Sequence, residues 1–171
     1  MKSNVNSWSL FVCLLVVQLV ISNYVNLSPF ISLTILPAMM MCTPMSMPTA
    51  WVMAVAFLTG ISTDLLTAGV VGLNAVSLVP VAAARNFIVT LVCGNEVVER
   101  GSDFNFKKYG ALKVITVTLL SLALFLAIYI IADAAGTRPF WFNLCRFLCS
   151  LLCDLVLCLL TVRILNPNDR R

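Results

Sequence analysis

Histidine is absent from these 171 residues, and charge is scarce: Asp, Glu, Lys and Arg together make up 11%. The first absence removes the commonest metal ligand and the usual general base near neutral pH. The second sets the chain apart from soluble globular proteins, which average about 25% charged residues. Alternation of apolar and polar residues over strand-length stretches is missing too, which argues against a transmembrane barrel. There is no Gly-rich phosphate cradle, Ser nucleophile elbow or zinc motif. Acids come singly, without the facing pair that carboxylate catalysis requires. A non-enzymatic chain without cofactor or metal is the expectation. The net charge of +4 is too small, and its basic residues too scattered, for a nucleic-acid binder.

What is present is apolar. Hydrophobic residues are 61% of the chain and the mean hydropathy is +1.02. Several runs approach the ~20 residues that span a bilayer, so the chain reads as an all-α integral membrane protein. Seven cysteines, an odd number lying mostly in apolar runs, do not make a disulfide framework. Cys145, Cys149 and Cys153 recur every four residues, but without histidine or another polar ligand they read as small hydrophobes.

Six spans are expected, at about 8–25, 29–45, 49–66, 70–92, 114–132 and 140–165, forming one bundle over 1–171. The first resembles a signal-peptide core, but no small-x-small cleavage site follows and it reads as a retained span carrying Gln18. The second contains Pro37, which predicts a kinked or short helix. Its methionines read as adaptable gap fillers. The only long polar segment, 93–113, carries Arg100, Lys107 and Lys108 interleaved with Phe104 and Phe106, as suits a loop on an anionic inner leaflet of membrane lipid. Lys2, this loop, Arg163, Arg170 and Arg171 fall on one side of the six-span arrangement, with Arg138 and the deeper Arg146 on the other. By the positive-inside rule both termini face the cytoplasm.

The stretch 57–76 organises the rest. Gly60, Asp64 and Thr67 share a helical face, and Gly69 and Gly72 follow in the turn. Small residues permit close backbone approach in lipid, and an ionised Asp there must be held against protein. Bland and sharp readings coexist: a packing seam with a satisfied turn, or a ligand or proton site. Arg85, Arg146 and Asp154 complete the charges within the spans. Depths counted at ~1.5 Å per residue predict two interhelical pairs, Asp64 with Arg146 and Arg85 with Asp154.

The segment GISTDLLTAGVVGLNA resembles the signature of the MreD family of bacterial rod shape-determining membrane proteins, with Gly60, Asp64, Gly72, Leu73 and Ala75 in the matching places. Gln18 and Asn23 at the end of the first span, the proline-bearing second span and the chain length fit the same family. The resemblance implies a non-enzymatic scaffold of the cell-elongation complex in the bacterial inner membrane, supporting lateral peptidoglycan synthesis. The implied partners are MreC, and beside it RodA, a class B penicillin-binding protein and MreB, whose cytoplasmic filament is the alternative to membrane lipid as the partner of Lys107 and Lys108. It also implies a fold related to the S-components of energy-coupling-factor transporters. A vitamin-binding S-component is accordingly the alternative. Against it, the first span lacks an A-x-x-x-A docking face and the outer turns are brief.

Overall fold

The computed structural model describes residues 2–24, 32–45, 47–67, 70–94, 110–134 and 139–165. All regular structure among them is helical. The helices are α1 (Lys2–Tyr24), α2 (Leu36–Met41), α3 (Thr49–Leu66), α4 (Leu73–Cys93), α5 (Ala111–Ala134) and α6 (Phe140–Leu165). Four stretches, Thr49–Leu66, Leu73–Cys93, Leu112–Ala134 and Phe140–Arg163, are long and apolar enough to cross a membrane, and α1 adds a shorter apolar stretch, Phe11–Asn23. An α-helix satisfies its own backbone in hydrocarbon, which is why long apolar runs of this kind become helices there.

Sequential helices pack side by side, α3 on α4, α4 on α5 and α5 on α6, while α1 lies against α2, α3 and α6. In α2 the short helix that Pro37 predicted forms, but not the span expected around it. Where a span was expected over 29–45, the described residues hold non-helical chain at 32–35 and then a helix of six residues. Such a helix is about 9 Å long, far short of the ~30 Å hydrocarbon core. Pro37 does not kink it: the residue sits in the first turn, where a missing N–H costs nothing. Every residue of α2 is buried, enclosed by α1, α4, α5 and α6. Met39, Met40 and Met41 fill the centre of the core beside Val81, Leu122 and Leu126.

Polarity runs partly inside out, as expected where lipid is the outer solvent. On α6, Leu148, Leu152, Val156 and Leu160 face outward while Ser150, Asp154, Cys158 and Thr161 are buried. On α1, Val12, Val16 and Val20 are exposed and Leu14 and Gln18 are buried. Between helices in lipid the drive is packing and hydrogen bonding, because both phases are equally apolar.

Candidate functional site

Two buried carboxylates organise the polar interior, and each holds backbone rather than a cation. The first is Asp64, 3% exposed, near the end of α3. Its Oδ2 accepts the N–H of Gly72 at 2.8 Å and that of Asn74 at 3.1 Å, and its Oδ1 accepts the Asn74 side-chain amide at 2.8 Å. Gly72 is the N-cap of α4, with φ of +96°, a conformation glycine adopts without strain. Having no side chain, it cannot supply the oxygen that an N-cap normally offers to the second helical residue. Asp64 supplies that oxygen from the neighbouring helix, where the positive end of the α4 dipole also favours an anion.

Gly60 makes this possible. A Cβ placed there would lie 2.4 Å from Ala75 Cα and 2.6 Å from Ala75 N, so only hydrogen fits between the two backbones. Thr67 closes α3 by donating its N–H and its hydroxyl to the Thr63 carbonyl. Asn23 Nδ2 donates to Leu66 O at 3.2 Å and fastens the end of α1 to the same corner. Gly69 lies outside the described residues, as do Arg100, Lys107 and Lys108.

The second carboxylate, Asp154, is fully buried on α6 and accepts the Thr34 N–H through Oδ1 at 3.0 Å. The non-helical segment 32–35 leaves its amides without helical partners, and side chains accept those of Ser32, Thr34 and Ile35. Ser150 Oγ accepts Ser32 N–H at 3.0 Å, Gln18 Oε1 accepts Ile35 N–H at 2.8 Å, and Thr34 Oγ1 accepts Leu36 N–H at 3.3 Å. Gln18 Nε2 donates to Leu33 O at 3.4 Å, and the Cys158 thiol points at Thr34 O at 3.6 Å. Ser150, Asp154 and Cys158 are each one helical turn apart, so a single face of α6 reads the segment.

At the other end of α2, Arg85 of α4 donates through Nη1 to Thr43 Oγ1 at 2.6 Å and through Nη2 to Thr43 O at 2.5 Å, with Met45 Sδ at 3.0 Å. Neither expected interhelical pair therefore forms. Asp154 and Arg85 grip opposite ends of one short helix, acid at its N-terminal side and cation at its C-terminal side, the arrangement its dipole favours. Arg146 meets Asp133 in an ion pair instead of Asp64, and its guanidinium carbon lies 6.0 Å from the centre of the Tyr129 ring. The expected pairing passed over two things: a non-helical stretch in the bundle offers N–H and C=O groups that hydrogen-bond a charged side chain, and Asp133 lies within reach of Arg146.

Asn74, Thr43, Ser32, Thr34 and Ser150 were not singled out from the sequence. The α6 stripe carried a signal, a polar or small residue at 150, 154 and 158 in an otherwise leucine-rich run. Asp133 carried another, since a short connection brings residues 133 and 146 to the same end of adjacent helices. The α6 cysteines do not converge: Cys145 and Cys149 are exposed and Cys153 is half-buried.

Comparison with known proteins identifies no relative: no family model, curated protein or solved structure matches the chain.

Proposed function

We propose that this chain is a non-enzymatic membrane scaffold of the MreD type, acting in the bacterial cell-elongation complex with an MreC-like partner. In this reading it lies in the inner membrane with six membrane-embedded segments, α2 counted among them, and both termini cytoplasmic. The observation that carries the reading is the clasp between α3 and α4. Gly60, Asp64, Gly72 and Ala75, the residues behind the family resemblance, meet in one small contact whose polar groups are spent on each other. A signature used up in holding two helices together suits a protein that presents a fixed surface to partners. RodA, a class B penicillin-binding protein and MreB are the further members expected beside it.

The test is clean depletion in the native host. Rounded or swollen cells, together with loss of the elongation synthase from material recovered with the MreC-like partner, are the expected result. Normal shape with an intact complex rejects the proposal.

One observation favours the alternative of a substrate-binding S-component: an unwound segment inside the bundle, lined by Gln18, Ser150 and Asp154. Co-purification with a transporter ATPase module and thermal stabilisation of the purified chain by a vitamin support that alternative in place of the scaffold.

A further inference from the structure

Asp154 does more than cap a broken segment. Its side chain is completely buried, and while Oδ1 accepts the Thr34 N–H, Oδ2 has no hydrogen-bond partner. Asp64 offers the internal contrast, because both its oxygens accept donors and it sits at a helix N-terminus. An ionised carboxylate within a membrane bundle is costly, and such residues ordinarily pair with one another, with backbone or with a transported ion. Unwound backbone beside an acid is the arrangement that brings carbonyl oxygens and a carboxylate to one point.

Among the described residues, no cation forms an ion pair with Asp154. Along α6 Cys153 is adjacent in sequence and half-buried, the buried Cys158 thiol lies one turn on along the same face, and Cys42 follows α2 close by. The segment before α2 presents Ser32 and Thr34, whose hydroxyls are bonded to Ser150 and to the Leu36 amide. α1 presents the neutral Gln18. From α5 the described charged groups are Lys113 and Asp133, near opposite ends of that helix, and Asp133 is committed to Arg146. Arg85 of α4 approaches Cys42, but its guanidinium is engaged with Thr43 and Met45 at the far end of α2.

We propose that Asp154, with the unwound backbone at 32–35 beside it, is a binding site for a monovalent cation, either a proton or Na+. Protonation places the hydrogen on Oδ2 and leaves Oδ1 free to keep the Thr34 N–H. Na+ binds the same oxygen in place of the proton. The site is independent of the scaffold reading and stands or falls without it.

The experiment uses the full chain in lipid nanodiscs treated with dicyclohexylcarbodiimide, which modifies protonated carboxyls in apolar surroundings, with adducts mapped by mass spectrometry. Infrared difference spectra of the wild type against Asp154→Asn report the acid carbonyl and carboxylate bands directly. Asparagine retains an oxygen for Thr34, so this variant keeps the fold and mimics the neutral acid. The expected result is an adduct on Asp154 at least tenfold above that on Asp64, falling as pH rises, with a matching acid-carbonyl band lost in Asp154→Asn. Protection by Na+ but not by choline at constant pH, with a Na+-dependent carboxylate shift, assigns the site to Na+. Equal labelling with either salt assigns it to the proton. An Asp154 that shows no adduct, no acid band at any pH and no response to Na+ is permanently ionised, and that result overturns the proposal.

Discussion

At the scale of single residues, Gly60 and Asp64 carry the tightest constraints. The atoms that a Cβ at position 60 would strike belong to the Ala75 backbone, so no side-chain rotation relieves the clash. Gly60→Ala is expected to lose about 1–3 kcal/mol, the usual cost of overpacking. Leu65→Ala, at a residue 65% exposed, should lose far less. Reversible unfolding in mixed micelles measures both, and equal stabilities refute the close approach. Asp64→Ala strands the half-buried Gly72 and Asn74 amides, which water partly reaches, and should cost less for each than the about 1–3 kcal/mol of a fully buried donor left unpaired. Asp64→Asn keeps one acceptor oxygen and should fall between that variant and the wild type in the same assay. The glycine-acid face was legible in the sequence because helical spacing alone places Gly60 beside Asp64. The partner of Asp64 was not, since charge counting looks for an opposite charge and passes over unpaired amides eight and ten residues along.

Among elements, the contrast between α2 and the four long helices shows what hydropathy conveys. Apolar runs announced α3, α4, α5 and α6, because length and composition decide whether a helix suits lipid. The run around α2 is just as apolar, yet it is enclosed by protein on all sides, and hydropathy does not distinguish lipid from a protein core. Gln18 is diagnostic here: Gln18→Leu removes both the acceptor for Ile35 N–H and the donor to Leu33 O. The expected loss is about 1–3 kcal/mol, with faster amide exchange confined to 32–36. Unchanged exchange over that segment refutes the role given to Gln18. The α5–α6 hairpin supports a second measurement. A double-mutant cycle on Asp133→Asn and Arg146→Leu should show coupling of about 0.5–3 kcal/mol, as groups in contact do. The corresponding cycle on Asp64→Asn and Arg146→Leu should be additive within about 0.5 kcal/mol. The reverse ranking restores the pairing expected from depth alone.

For the molecule as a whole, seven free thiols provide a set of depth markers. Cys13, Cys145 and Cys149 are exposed on helix faces dominated by Val and Leu, whereas Cys158 is fully buried. In liposomes a lipid-soluble maleimide should modify the first three rapidly and a membrane-impermeant one slowly or not at all. Cys158 should react only after denaturation. Rapid modification of Cys158 in the intact bundle contradicts the packing of α6 against the unwound segment.

That packing also dictates a timetable for biogenesis. The bonds from Ser150, Asp154 and Cys158 to residues 32–34 join positions 118 to 124 apart in sequence. Until the last helix has left the ribosome, the Ser32 and Thr34 amides have no final partners and have reason to stay in the translocon or under a chaperone instead of entering lipid. Insertion is therefore not expected to end folding: residues 32–36 should be released only once α6 arrives. A nascent chain stopped before residue 140 should remain protease-sensitive near 32–45 and be cleared by membrane quality control, while the complete chain escapes it.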